Sequence, residues 1–431
     1  MNPAVPIAAF PLDARDIQPM NPPALRFRVL YLAFASGYLL SYLYRTVNAV
    51  ISPELTRELS LTPGALGLLT SAYFVAFAAM QIPAGMLLDR YGPRRVEPVL
   101  LLVAGTGALA FGLAGSEAEL LAARALIGAG VAVCLMAPMK AIATWYPIDR
   151  QASLGGWMMV AGGVGALAAT APLEFALRFA SWRAIFVGLA ASTYAVAVWI
   201  WLRVPDAGKP TRATGFAGQW AGVRAVFANR RFWWIAPLGC FGFGSFMAVQ
   251  GLWSVPWLME VNGYDRAQAA RHLLVMSVVM LAGYLLLGLF ATRLSRRGLR
   301  PHHLFGIGFG LNAFALMAIL VELPATLAWW ALYGLGAAAN VLAFTVLNEG
   351  FASELAARAN TALNLLMFIG SFAMQWGIGL VIDAARTGLG YGTPSGLRLA
   401  FAVAFAADAL ACLWFAWGWR RHAMTMRVAP A

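Results

Sequence analysis

Long apolar stretches, separated by short connections rich in arginine, constrain this 431-residue chain more than any other feature. A helix needs about twenty mainly apolar residues to cross a lipid bilayer. Stretches of that length run at roughly 29–52, 64–88, 96–115, 118–143, 151–175 and 182–204, and again, after a polar segment, at roughly 232–259, 267–292, 302–322, 325–349, 359–383 and 397–419. We therefore predict an all-α membrane protein with twelve transmembrane helices in two sets of six.

The composition supports a surface that faces lipid. Hydrophobic residues make up 61% of the chain and charged residues 11%, whereas a soluble domain has about 45–50% and about 25%. The net charge of +13 does not indicate nucleic-acid binding, because the basic residues form short clusters between apolar stretches. The expected surroundings are the lipid bilayer, and no nucleic-acid partner is predicted.

Arginine is distributed unequally between the two sets of connections. One set contains Arg90, Arg94, Arg95 and a cluster at 203–231, whereas the other contains only scattered residues such as Arg57. Positively charged connections remain on the cytoplasmic side of a membrane, so we predict that both termini are cytoplasmic. The arginine-rich, lysine-poor composition favours a multi-pass protein of a bacterial inner (cytoplasmic) membrane.

The expected domain organisation follows from these spans. It comprises a disordered cytoplasmic tail at 1–27, a six-helix bundle at 28–204, a cytoplasmic linker at 205–231, a second six-helix bundle at 232–421 and a cytoplasmic tail at 422–431. Two similar basic connections, 85–95 and 288–298, each follow a glycine-containing helix end about half a chain apart. Duplicated halves with a site between them are a common plan for transporters.

The first of these connections resembles the signature loop of the major facilitator superfamily, G-x-x-x-D-R-x-G-x-R-R. The matching positions are Gly85, Asp89, Arg90, Gly92, Arg94 and Arg95. The second copy is degenerate, with Thr292 and Ser295 at two of these positions. The segment from Arg124 to Ala132 is similar to the family's R-x-x-x-G-x-G-x-A motif, and the resemblance extends from about residue 28 to 420.

The resemblance implies two pseudo-symmetric six-helix bundles around a central cavity, lined mainly by helices one, four, seven and ten. It also implies alternating access by a monomer. The signature loop would latch the cytoplasmic side of the outward-open state, with Asp89 meeting the start of helix eleven near Arg358 and Asn360. A carboxylate at a helix N-terminus is stabilised by the helix dipole.

Arg45 is the sharpest candidate for substrate binding. Residues 38, 41, 45 and 48 share one face of the first helix and offer a phenol, a hydroxyl, a guanidinium and an amide. No acid occurs between residues 29 and 52 to neutralise Arg45. Arginine binds carboxylates and phosphates with two parallel hydrogen bonds, and the run resembles the first helix of organic-anion members of the family.

Other polar and soft side chains fall on helices that the resemblance places around the cavity. The complete set of candidate substrate-binding residues is Tyr38, Tyr42, Arg45, Asn48, Arg124, Met247, Gln250, Trp253, Asn340 and Asn364. Lys140, Asp408 and Glu349 are left open between functional and structural roles. The first half shows no mid-helix acid of the kind that binds protons in sugar symporters, so proton coupling stays open.

These observations favour a transporter of a small organic anion, a carboxylate or a phosphate ester. The driving force is left open between a proton, an exchanged counter-anion and the solute gradient. One alternative is a copper importer, because Cys134, Met136, Met139, Cys240, Met247, His272 and Met276 offer soft ligands. A second alternative is a solute sensor that does not transport.

An enzyme is not predicted, since the chain lacks HExxH, GxSxG and phosphate-binding Gly-Lys motifs. The three cysteines are widely spaced within apolar stretches, so they predict neither a disulfide framework nor a CxxC metal pair. We expect no cofactor and no bound metal.

Overall fold

The computed structural model describes residues 24–205, 224, 226–349, 351 and 353–428, and this part of the chain is helical. The predicted tail at 1–27 and the predicted linker at 205–231 lie mostly outside the described residues. The first half contains α1 (Ala24–Leu59), α2 (Pro63–Tyr91), α3 (Pro93–Leu113), α4 in two pieces (Glu117–Gly130 and Met136–Trp145), α5 (Ile148–Ala168, followed by the short helix Ala171–Ala176) and α6 (Trp182–Arg203).

The second half contains six corresponding helices. They are α7 (Phe232–Glu260), α8 (Arg266–Arg296), α9 (Pro301–Leu320), α10 (Thr326–Asn348), α11 (Ser353–Leu389) and α12 (Thr393–Val428). Nine of the described helices are long and apolar enough to cross a membrane by length and composition. The other three are α1, α4 and α5, and α4 is divided by a turn at 131–135. The predicted plan of twelve helices in two sets of six is confirmed.

Local sequence explains where several helices begin. The hydroxyl of Thr62 accepts a hydrogen bond from the Ala65 amide at the start of α2, and Ser181 accepts one from Ala184 at the start of α6. Such N-caps satisfy backbone donors that have no partner within the helix. Between α2 and α3, Gly92 makes the whole connection with a φ of 77°, a backbone conformation that favours glycine.

Small residues allow the helices of each half to approach closely. A Cβ at Gly128 of α4 would lie 2.8 Å from the Cα of Tyr73 in α2, and one at Gly244 of α7 would lie 2.6 Å from the carbonyl carbon of Gly370 in α11. Small residues are enriched at helix contacts within membranes because there van der Waals packing replaces the hydrophobic effect. Each half is thereby a tightly packed bundle.

The two bundles meet mainly along α2 and α11. We call the end of the molecule at the α2–α3 connection the signature-loop end, and the end at the α1–α2 connection the opposite end. At the opposite end, the amide of Gly64 donates to Asp383 Oδ2 at 2.7 Å, and Arg266 of α8 forms an ion pair with Glu54 of α1. The opposite end is therefore closed by contacts between bundles.

Contacts between α2 and α11 continue to the middle of the molecule. The rings of Phe77 and Phe368 lie 4.3 Å apart, and Asn364 donates to Gln81 at 3.2 Å. Nearer the signature-loop end, a Cβ at Gly85 would meet no atom within 4 Å. The interface is thus closed from the opposite end to about Gln81 and looser at the signature-loop end, which is an inward-facing arrangement if the termini are cytoplasmic.

Candidate functional site

Arg45 lies in the middle of the molecule, where the two bundles meet. Its side chain is buried, with a relative exposure of 5%. The Cζ atom is 4.5 Å from the ring centroid of Tyr42 and 5.4 Å from those of Phe77 and Phe368. Aromatic faces attract cations, so these rings stabilise the guanidinium. Because Phe368 belongs to α11, the second half contributes one wall of this site.

The charge of Arg45 has no acidic partner in the part of the chain that the structure describes. Its Nε atom has no hydrogen-bond acceptor, and no ion pair with a carboxylate is present there. A buried charge without a counter-charge is costly. Aromatic contacts recover only part of that cost, at about 2 kcal/mol each when desolvated. An anionic ligand would neutralise the charge.

Arg124 is a second buried cation beside the first. It is fully buried, and none of its three side-chain nitrogens has a hydrogen-bond partner among the described residues. Its Cζ atom is 5.1 Å from the ring centroid of Tyr73, and the Cζ atom of Arg45 is 6.0 Å from the same ring. Tyr73 therefore brings two unpaired guanidiniums from α1 and α4 into one region.

Two tyrosines of α1 complete this region. The rings of Tyr38 and Tyr42 meet edge to face at 5.1 Å, and the Tyr38 hydroxyl donates to the Met159 sulfur at 3.8 Å. The Tyr73 hydroxyl is bound to the backbone carbonyl of Ser41 at 3.2 Å. We refer to Tyr38, Tyr42, Arg45, Tyr73 and Arg124 as the arginine–tyrosine cluster. It combines two positive charges with phenol groups that can donate hydrogen bonds to an anion.

Asn48 takes no part in the cluster, although the sequence places it on the same helical face as Arg45. Its Nδ2 atom donates to the hydroxyl of Thr70 at 3.0 Å, and the side chain is fully buried between α1 and α2. The face that points to the centre at Arg45 has turned toward α2 one turn later. In this conformation Asn48 joins two helices of one bundle.

The candidates of the second half mostly join helices. Gln250 donates to Ser277 of α8 at 3.2 Å, and the Trp253 indole donates to a backbone carbonyl of α11 at 2.9 Å. Met247 is buried, and Asn340 lies in a 3₁₀ segment of α10, Ala338–Leu342, with its Oδ1 atom unpartnered. Asn364 differs from the others because it bonds across the two bundles, to Gln81.

The signature loop is held within its own bundle. Asp89 accepts a hydrogen bond from Lys140 Nζ at 2.5 Å, and the same ammonium donates to the carbonyl of Leu88 at 2.9 Å. In the described residues no ion pair joins Asp89 to Arg358, and no hydrogen bond joins it to Asn360. The latch at helix eleven therefore stays a prediction about another conformation.

The other loop positions have distinct surroundings. Arg94 donates to the backbone carbonyl of Trp201 in α6 at 3.3 Å. The Cζ atom of Arg90 is 5.1 Å from the ring centroid of Tyr91, and Arg95 is exposed. Lys140, which was left open between two roles, is committed to this loop.

The structure reveals two kinds of residue that the sequence analysis did not select. Tyr73, Phe77 and Phe368 contact Arg45 from other helices. Glu97 of α3 is fully buried, and both of its carboxylate oxygens lack a hydrogen-bond partner in the described residues. Glu97 follows the basic signature loop by two residues, so its sequence context is that of a polar connection rather than of a helix core.

The soft side chains proposed for copper are not gathered at one place. His272 has its Nδ1 atom 2.8 Å from the carbonyl of Gln268, and its ring stacks on Tyr264. Cys134 belongs to the first half and Cys240 to the second. Within the described residues, no three histidine, cysteine or acidic side chains are grouped so as to hold a metal ion.

Comparisons with known proteins agree with this geometry. The family model of the Major Facilitator Superfamily matches residues 34–375. The probable sulfoacetate transporter SauU of Cupriavidus necator is 28% identical over 276 residues, which are 60% of this chain and 64% of that protein. The hexuronate transporter of Escherichia coli K12 is 28% identical over 253 residues, which are 54% of this chain and 58% of that protein. The chain thus aligns with less than two thirds of either relative.

A solved structure shows the same fold over nearly the whole chain. It is a bacterial homologue of the human lysosomal transporter Spinster, in an inward-facing and unoccupied conformation, with a TM-score of 0.75 at 21% identity. The similarity covers 91% of this chain and 97% of that chain. With two six-helix bundles, a matching signature loop and a family match over most of its length, this multi-pass membrane protein belongs to the Major Facilitator Superfamily of transporters.

Proposed function

We propose that this protein is an alternating-access transporter of a small organic anion, with Arg45 as the residue that binds the anionic group. The observation that carries the proposal is the pair of buried guanidiniums of Arg45 and Arg124, both against Tyr73 and neither paired with an acid in the described residues. Ionisable groups inside a membrane protein are expensive and commonly mark a substrate path. An anion would supply the missing charge.

The names of the relatives support the same class of substrate. Sulfoacetate and hexuronates are small organic acids, and the two relatives named for them align with the first span onward at similar identity. The chemistry of the cluster fits carboxylates, sulfonates and phosphate esters, because a guanidinium forms two parallel hydrogen bonds with such groups. The nearby phenols of Tyr38 and Tyr42 would orient the remaining oxygen atoms.

Movement of the two bundles against each other would carry the anion across the membrane. The site lies between them, since Arg45 of α1 is covered by Phe368 of α11. Rocking of one bundle around a fixed central site is the usual form of alternating access. We further propose a monomer in the bacterial inner membrane, with both termini cytoplasmic and the bundles at 28–204 and 232–421.

A thermal-shift experiment tests this proposal. Purified full-length protein is heated with sulfoacetate, glucuronate, a phosphate ester, an uncharged sugar or Cu(I), beside the variants Arg45→Ala and Arg57→Ala. A ligand that binds only the folded state stabilises it by about 2.7 kcal/mol at 100 times its Kd. We expect an anion to raise the melting temperature of the parent protein and of Arg57→Ala, an exposed arginine of the same helix, but not that of Arg45→Ala.

Two results would contradict the proposal. If the same anion stabilises the parent protein and Arg45→Ala equally, Arg45 does not bind it. If only Cu(I) or the uncharged sugar has an effect, the substrate is not an organic anion. Uptake of the stabilising anion into proteoliposomes then separates a transporter from a sensor that only binds.

A further inference from the structure

Glu97 is an acid in a place where a negative charge has no support. It lies in the second turn of α3, is fully buried, and has no hydrogen-bond partner for either carboxylate oxygen in the described residues. A Cβ added at Gly37 of α1 would lie 2.7 Å from Glu97 Oε1, so the carboxyl group presses against the backbone of α1. A carboxylate buried without a partner is costly, whereas a carboxylic acid is not. Glu97 therefore holds a proton in this conformation.

The groups around Glu97 do not neutralise it. Lys140 is committed to Asp89, and the Tyr194 hydroxyl is bonded to Thr106 at 3.1 Å. The thiol of Cys134 in α4 interacts electrostatically with Glu97 and also with Arg45. The ionisable groups on the helices packed around this part of α3 are Tyr38, Arg45, Asp89, Cys134, Lys140, Tyr194 and Arg203.

The position of Glu97 links it to the arginine–tyrosine cluster. Both lie in the first bundle, and α1 carries the contact with Glu97 at Gly37 as well as Arg45, two turns further along. In the described part of this bundle, two unpaired guanidiniums and one unpaired carboxyl share a core of low dielectric constant. Loss of the proton from Glu97 would add a negative charge to that core, and so would a bound anion. The two negative charges repel each other strongly at low dielectric.

We propose that Glu97 is a proton-binding site whose occupancy sets the affinity of the cluster for its anion, so that proton and anion are carried together. The inference rests on the proposed function. By reciprocal linkage, a proton on Glu97 strengthens anion binding, and a bound anion strengthens the hold of Glu97 on its proton. The only bond formed or broken is the O–H bond of the carboxyl group, and the proton is exchanged with water.

The proton has a short way to water in this conformation. Arg95, two residues before Glu97, is exposed at the signature-loop end, and that end of the interface is the looser one. Opening of the opposite end would move the bundles relative to each other and change the surroundings of α1. The coupling thus needs no acid near the centre of the cavity, because the charge acts through the core of the bundle.

Anion affinity as a function of pH tests this inference. The dissociation constant of sulfoacetate or glucuronate is measured on the full-length protein, on Glu97→Gln and on Asp408→Asn. Asp408 is the matched control, since it is a buried acid without a hydrogen-bond partner in the other bundle. Both test anions stay ionised across the neutral range, so their own charge does not change with pH.

We expect the parent protein and Asp408→Asn to lose affinity as the pH rises through the titration of Glu97, by up to about tenfold per pH unit for one linked proton. Glu97→Gln, which resembles the protonated acid, should bind at all pH values as tightly as the parent does at low pH. Retention of the parent's pH dependence in Glu97→Gln would overturn the inference, as would its loss in Asp408→Asn. Affinity that is independent of pH in the parent would overturn it too, while leaving the proposed function intact. If none of the anions binds, the proposed function itself fails.

Infrared spectroscopy provides a second measurement that does not need a folded Glu97→Gln variant. In Asp408→Asn, the carbonyl stretch of a buried protonated carboxyl group that remains is expected to come from Glu97. Adding the anion should preserve that band to a higher pH. A band whose disappearance with pH is unchanged by the anion would contradict the coupling.

Discussion

The two six-helix bundles have the same plan but opposite charges at their cores. In the first bundle, Arg45 and Arg124 are buried without an acidic partner in the described residues. In the second, Asp408 of α12 is buried beside Ser245 of α7 and Tyr333 of α10, also without a hydrogen bond. The difference teaches that duplication reproduced the scaffold, whereas the charge that can attract an anion was kept in one copy.

The halves also differ in what they give to the central site. The first provides the guanidiniums and phenols of the arginine–tyrosine cluster, and the second provides the aromatic wall at Phe368. Polar candidates of the second half, such as Gln250 and Trp253, are occupied by contacts between helices. The first bundle therefore carries the binding chemistry and the second covers it.

Loss of Arg45 should have the largest effect on this division of roles. Truncating one partner of a buried charge pair typically costs about 2–5 kcal/mol of binding free energy, so Arg45→Ala should abolish measurable anion uptake into proteoliposomes. Arg45→Lys should retain part of it, because the charge stays but the two-pronged geometry is lost. Uptake by Arg45→Ala at the rate of Arg57→Ala would break the comparison between the bundles.

Replacement of Arg124 should separate stability from function. Arg124→Met removes an unpaired buried charge and keeps an apolar side chain of similar length, so thermal stability without ligand should rise. Anion affinity should fall by about 1.5–3 kcal/mol, the value of a hydrogen bond to a charged group. Both quantities come from melting curves with and without the anion. A variant that is less stable but binds normally would assign Arg124 a structural role.

The bond between Asn364 and Gln81 should have a smaller effect, on the equilibrium between conformations. Interhelical hydrogen bonds in membrane proteins contribute about 0.6 kcal/mol on average, so Asn364→Ala should shift the equilibrium less than about threefold toward separation of α2 and α11. Distances between spin labels on these two helices measure the shift. Asn312→Ala, which loses a bond within the second bundle, should leave those distances unchanged.

Asp408→Asn should have the smallest effect of all. A neutral amide replaces a buried acid of nearly the same shape, and Asp408 lies in the bundle that lacks the cationic cluster. Anion uptake and its pH dependence should match those of the parent protein. A large loss of uptake in this variant, measured beside Arg45→Ala, would show that the second bundle carries binding or coupling chemistry as well.

Most of the fold could be predicted from the sequence, because a bilayer permits few solutions. The predicted span at 64–88 became α2 (Pro63–Tyr91), and the predicted span at 182–204 became α6 (Trp182–Arg203). Arg45 could be selected too, since its own helix contains no acid. Asn48 could not be assigned to Thr70, because helical periodicity names a face without saying which neighbour covers it.

Glu97 illustrates a further limit. It stands close to Arg94 and Arg95, so the sequence alone presents it as part of a basic, solvent-exposed connection. Only the packing of α3 against α1 buries it, at the close approach that Gly37 allows. The same is true of Tyr73, which contacts two arginines that are 79 positions apart in the chain, at 45 and 124.

The sequence by itself determined that this chain crosses a membrane many times in two related halves, because apolar length and arginine placement are properties of single segments read against a bilayer. It also determined that a buried arginine stands in the first helix without a local partner. The tertiary structure decided which rings surround that arginine, that Arg124 joins it and that Glu97 is hidden from water. Those outcomes depend on distances between helices, and distances between helices are set by packing of whole bundles rather than by any one segment.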